Sequence, residues 1–160
     1  TGQGTMATGR YFEDFQVGDV IETAGMTITE SQILDFASTY DPQPFHVDAV
    51  AAAASPFGGI IASGFQTLSL SFRLVCDTGM LNGTGLGSGG GENLRWMQPV
   101  RPGDTLYVRL EVLETRASKS SSDRGNVRIR YVTSNQKGTP VMEITFHHLV
   151  KRRSPETVAV

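Results

Sequence analysis

Residues 60–75 form the most apolar stretch of the chain and include Phe65, Leu68, Leu70, Phe72 and Leu74. A run of that length suits one helix buried nearly all round, and such a helix needs other elements to cover it. Residues downstream can supply that cover. Segments 94–97, 105–115, 127–133 and 141–151 are rich in strand formers, and the second and third alternate with a period near two. Val108, Leu110 and Val112 therefore take one face of their strand, and Arg109 and Glu111 the other. Pro102-Gly103-Asp104 and Gln136-Lys137-Gly138 read as turns, so an antiparallel meander is expected in the C-terminal half. The fold class that follows is α+β, an antiparallel sheet wrapped around a central apolar helix. Residues 82–91, dense in glycine, read as a loop too permissive in backbone to hold regular structure by itself.

Upstream, residues 19–29 are rich in Val, Ile and Thr and read as a strand. Thr29 and Gln32 then stand at capping-box spacing, and Ile33, Leu34, Phe36 and Ala37 line one helical stripe, which predicts a short helix to about Thr39. Asp41-Pro42-Gln43-Pro44 cannot continue it, because each proline lacks an N–H and restricts the residue before it. His46 is thereby placed on a rigid, non-helical segment. Asp48 can cap a second short helix through Ala54, and Ser55-Pro56-Phe57-Gly58-Gly59 breaks the chain again.

The 160 residues suit one domain. Residues 1–10 read as a cloning remnant and flexible N-terminus, 11–153 as the domain, and 154–160 as a frayed tail. A formal net charge of -2 and no basic stripe with interleaved aromatics argue against nucleic acid as a partner. No stretch approaches the roughly 20 apolar residues of a membrane span, and no basic-then-apolar leader pattern is seen. Cys76 is the only cysteine, so an intrachain disulfide and a thiol-rich metal site are excluded, and a cytoplasmic location is expected.

Tyr40-Asp41-Pro42-Gln43-Pro44-Phe45-His46, followed by Val47-Asp48 and an alanine-rich helix, resembles the signature of MaoC-like dehydratases and R-specific enoyl-CoA hydratases. Tyr11 through Asp19 resembles the opening of that family, Ile61-Ala62-Ser63-Gly64 the start of its central helix, and Val100 through Leu106 a turn into a later strand. The resemblance covers roughly residues 11–150 and implies a hotdog fold. It also implies a hydratase or dehydratase acting on a 2-enoyl or 3-hydroxyacyl coenzyme A thioester in fatty acid metabolism, with no cofactor and no metal. Asp41 and His46 fall on the family's catalytic positions, Gly64 is the candidate oxyanion donor, and Ser63 and Phe45 are expected to meet substrate. A homodimer is expected as well, because a curved sheet round one helix leaves an edge strand and a face to cover. Gln43 departs from the asparagine usual in the hydratase motif.

Hydration of an enoyl thioester needs a water deprotonated as it attacks the β-carbon and a proton delivered to the α-carbon. A carboxylate and an imidazole can hold one water between them, with Asp41 as the candidate base and His46 as its partner. Backbone N–H groups at a helix start stabilise the negative charge that grows on the thioester oxygen. Plainer readings stand beside these. An Asp-Pro pair by itself marks a turn, a loop histidine is usually a structural hydrogen bonder, and Gly64 also suits tight helix packing. Two other functions share the fold: a thioesterase whose carboxylate aims water at the carbonyl, and a non-catalytic acyl-binding module.

The remaining conspicuous residues have plain assignments. His147 and His148 are adjacent on a strand and point to opposite faces, so they cannot easily share a metal. Residues 87–91 lack the Gly-Lys-Ser/Thr of a phosphate-binding loop. Cys76 reads as a small core residue, and Lys151-Arg152-Arg153 as a solvated cluster outside the site.

Overall fold

The computed structural model describes residues 7–153. Residues 1–6, which include most of the expected cloning remnant, and the tail at 154–160 lie outside the described residues. After a short 3-10 turn at Phe12–Asp14 come β1 (Val20–Glu22), β2 (Met26–Thr27), α1 (Glu30–Tyr40), α2 (Pro44–Val47), α3 (Ala49–Ala54) and α4 (Gly64–Asp77). Four long strands complete the order: β3 (Gly85–Trp96), β4 (Thr105–Ala117), β5 (Arg124–Ser134) and β6 (Pro140–Lys151).

The strands form one antiparallel sheet in the order β1-β4-β5-β6-β3, with β2 also on β4. The expected meander is β4-β5-β6, whereas β3 crosses over to pair with β6. Period-two burial sets its faces. Val127, Ile129 and Tyr131 of β5 are fully buried, and they alternate with Arg128 and Arg130 on the outer face. Burying each such apolar side chain stabilises the fold by about 1.5–3 kcal/mol. Helix α4 lies on the inner face, where Ser71 Oγ meets Thr133 Oγ1 of β5 at 2.7 Å and Phe72 packs edge-on to Phe146 of β6.

Several expectations need correction. The glycine-rich segment is not a loop, since residues 85–91 open β3 and pair with β6. The partner strand supplies the hydrogen bonds, and the glycines supply bulges: register shifts flank Ser88, with φ of 94° at Gly87 and 148° at Gly90. The 19–29 strand is two short pieces, β1 and β2, separated at residues 23–25. The apolar run becomes helical only at Gly64, and α4 is not buried all round. Its buried stripe includes polar Gln66, Thr67 and Ser71, while Phe65 and Phe72 remain 59% and 40% exposed, because one sheet covers only one side of a helix. Cys76 is exposed and not a core residue, and partial desolvation of the thiol together with the Asp77 charge raises its pKa.

At the other end, Gly9 and Arg10 hydrogen-bond to the carbonyls of Asn82 and Met80, so packed structure reaches back beyond residue 11. The C-terminal basic cluster is more than solvated charge. Arg153 grips Asp14 with two hydrogen bonds of 2.7 Å, and Arg152 meets Glu13 at 3.1 Å.

Candidate active site

The site grows out of the way α1 ends. Thr29 and Gln32 close the capping box at its start, with bonds of 3.2 and 2.9 Å between side chains and backbone N–H groups. Asp41 caps its end, and Pro42 prevents another turn. Pro44 then begins α2, a single helical turn, so His46 is helical after all. The missing N–H of a proline costs nothing at the first helical position, which the sequence reading overlooked. Asp48 caps α3 as expected, its Oδ1 accepting from Val50 and Ala51 at 3.0 Å.

His46 is buried, and its Nδ1 lies 2.6 Å from the carbonyl oxygen of Ile61. A carbonyl can only accept, so Nδ1 carries a proton and Nε2 is the atom free to gain or lose one. Nε2 stands 3.2 Å from Oδ2 of Asp41. That carboxylate is held from two further directions, by Gln43 Nε2 on Oδ1 and by Ser63 Oγ on Oδ2, each at 2.7 Å. Burial alone would raise the Asp41 pKa, but the donors Gln43 and Ser63 and the neighbouring imidazole outweigh it and hold the carboxyl below the usual carboxylate range.

Asp41, His46 and Gly64 line one cavity of about 470 Å³, whose other walls include Phe57, Ile61, Phe65, Trp96 and Met97. Gly64 is the first residue of α4, so its N–H has no intrahelical acceptor, and none takes it elsewhere among the described residues. Its glycine identity has a local cause: a Cβ there would lie 2.6 Å from Nε1 of Trp96. The same Nε1 donates to the carbonyl of Gly64 at 3.0 Å.

Ser63 and Phe45, the two expected substrate contacts, are not among the residues that line this cavity. Ser63 is fully buried, caps α4 through Phe65 N–H, and gives its hydroxyl proton to Asp41. Phe45 stands edge-on behind His46 at 4.6 Å and packs on Phe57, backing the imidazole instead of facing the cavity. Two participants escaped the sequence reading. Gln43 registered only as a departure from a motif, although its place two residues after an aspartate is a signal for a local side-chain bond. Trp96 carried no signal, since only the β3–β6 pairing, Trp96 opposite Met142, brings its strand into place.

Other ionisable groups lie outside this cavity. His147 is 3.7 Å from Glu92 on the outer face. His148 is buried inside, with Nε2 2.5 Å from the Tyr131 hydroxyl, and burial, helped by the His147 charge, lowers its pKa to about 4. Among the described residues no three His, Cys, Asp or Glu side chains gather as a metal would require. No helix there is long and apolar enough to cross a membrane.

An antiparallel sheet packed on one long helix, with a paired Asp and His in a cavity at that helix's start, defines a hotdog-type domain. The chain belongs to the MaoC-like domain family, whose model matches residues 14–136. Its structure superposes on a MaoC-like dehydratase from Rhodospirillum rubrum with a TM-score of 0.80 and 39% identity, over 91% of this chain and 99% of that one. The R-hydratase PhaJ1 of Pseudomonas aeruginosa, in its unliganded form, gives a TM-score of 0.66 and 29% identity over 90% and 86% of the two chains. The 3-hydroxybutyryl-CoA dehydratase of Methylorubrum extorquens is 36% identical over 109 residues, 65% of this chain and 64% of that protein. The chain thus spans less than two thirds of that dehydratase.

Proposed function

We propose that this protein adds water to a 2-enoyl coenzyme A thioester, or removes it from the 3-hydroxyacyl partner. The observation that carries the reading is the Asp41–His46 pair in the cavity that Gly64 also lines. A water against Asp41 Oδ2 and His46 Nε2 loses a proton to the pair as its oxygen bonds to the β-carbon, and the pair returns a proton to the α-carbon. The net change is the addition of H and OH across the double bond. Charge passes to the thioester oxygen during attack, and the N–H of Gly64, without an acceptor of its own among the described residues, is the donor assigned to stabilise it. Phe57, Ile61 and Met97 offer the acyl group an apolar wall, which strengthens the electrostatic contacts by excluding water. The cavity chemistry calls for no cofactor.

A homodimer belongs to the same reading. Strand β3 ends the sheet with one edge unpaired among the described residues, and the Phe65–Trp96 pair and, further along α4, Phe72 leave apolar surface exposed.

Incubating the purified protein with a 2-enoyl-CoA and following loss of the conjugated thioester absorbance tests the reading. Disappearance of the chromophore without thiol release is expected. Release of free thiol in its place would make the protein a thioesterase, and tight binding with neither change would make it an acyl-binding module.

A further inference from the structure

We propose that Trp96 is a positioning residue, whose indole N–H begins a hydrogen-bond chain that ends on the catalytic carboxylate and holds Gly64 at the same time. The proposal rests on the hydratase reading of Asp41 and extends it to a residue of a distant strand. Trp96 Nε1 donates to the carbonyl of Gly64 at 3.0 Å. The N–H of that same peptide unit, belonging to Phe65, donates to Ser63 Oγ at 3.3 Å. Ser63 Oγ donates in turn to Asp41 Oδ2 at 2.7 Å.

Every link therefore points its proton in one direction, from the indole through a peptide and a hydroxyl to an anion. Donation to a peptide carbonyl makes that peptide's N–H a stronger donor, and donation to a hydroxyl oxygen does the same for its O–H. Such a chain strengthens toward its charged end, where Ser63 is fully buried and screening is weak. Its geometric effect is equally direct. The peptide after Gly64 is fixed at both its carbonyl and its N–H, so the first turn of α4 has little freedom, and the unpaired N–H of Gly64 is held with it. The indole occupies the space a Cβ at position 64 would need, and the Phe65 ring stands edge-on to it at 5.9 Å. Trp96, Gly64 and Asp41 all line the cavity, so one network serves both the acid/base pair and the oxyanion donor. His46 is the one titratable side chain among the groups acting on the Asp41 carboxyl.

Trp96 is the only tryptophan, so growth on β-(3-benzothienyl)alanine replaces this indole alone, with sulfur in place of the N–H and the shape retained. Two readouts are taken on the intact protein: NMR titration of the Asp41 carboxyl, and kcat with KM for an enoyl-CoA across pH. The expected result is an Asp41 titration moved to higher pH, the acidic limb of kcat/KM moved the same way, and kcat lowered about tenfold with KM little changed. Trp96→Phe should behave similarly. An Asp41 titration and a kcat both unchanged in the benzothienyl protein would overturn the proposal. A moved titration in a protein whose unsubstituted form never hydrates the thioester would overturn the hydratase reading and leave the network standing.

Discussion

Nε2 of His46 stands 3.2 Å from Oδ2 of Asp41, while the Ile61 carbonyl, 2.6 Å from Nδ1, fixes the ring's other nitrogen. The imidazole is therefore pre-oriented before substrate arrives. In the proposed hydration such preorganisation would spare the cost of ordering the pair, and it makes the two residues open to separate mutational tests.

Asp41→Asn and His46→Gln are each expected to lower hydration turnover by about a hundredfold or more, the usual scale for losing positioned acid/base help. Circular dichroism should show a folded protein in both cases. Near wild-type turnover in either variant removes that residue from the mechanism.

Position 64 should prove intolerant even of a methyl group. In Gly64→Ala the new Cβ meets the Trp96 indole, an overpacking that costs about 1–3 kcal/mol and is readable as a lower melting temperature. Shrinking the neighbour in Gly64→Ala/Trp96→Leu should recover part of the lost stability relative to Trp96→Leu alone. If the methyl group costs the same with and without the indole, glycine is needed there for another reason.

Stability should fall in mild acid through His148. Its folded pKa of about 4 lies below the ordinary histidine value of 6.5, so between those values the unfolded chain binds a proton that the folded chain refuses. Folding is then disfavoured progressively as pH drops from 6.5 to about 4, by at most on the order of 3 kcal/mol. Denaturant titrations across that window should show a shallower pH slope in His148→Gln than in wild type. Equal slopes would mean that His148 is not the group responsible.

Asp41 contributes with the usual carboxylate sign. Its folded pKa is depressed, so its stabilisation is present above the unfolded value near 3.9 and is lost as pH falls through the folded one. Gln43→Leu removes the donor on Oδ1 and should move the acidic limb of kcat/KM to higher pH. An unmoved limb would make Gln43 a bystander.

Light scattering should report a particle of twice 17.3 kDa. Phe72→Glu, which places charge at the half-exposed margin of α4, is expected to shift it toward the monomer, with the melting temperature read alongside because Phe72 also packs on Phe146 and His148. An active wild-type monomer would rule out the dimer.

Much of this architecture was written locally. The capping box at Thr29 and Gln32, the stop at Pro42, the Asp48 cap and the alternation of β4 and β5 depend on near neighbours or on a period, and such features can be read along a chain. Asp41 and His46 were legible because the short stretch that holds both resembles the signature of a known family. Tertiary structure decided what depends on contacts between distant segments. Residues 85–91 became a strand because β6 offered hydrogen bonds, which outweighed the backbone freedom of glycine. Ser63 turned toward Asp41, 22 residues away, and Trp96 reached Gly64 across 32, because sheet and helix packing closed those distances. Local preference selects a backbone shape, but which donor meets which acceptor is settled only once the core has packed.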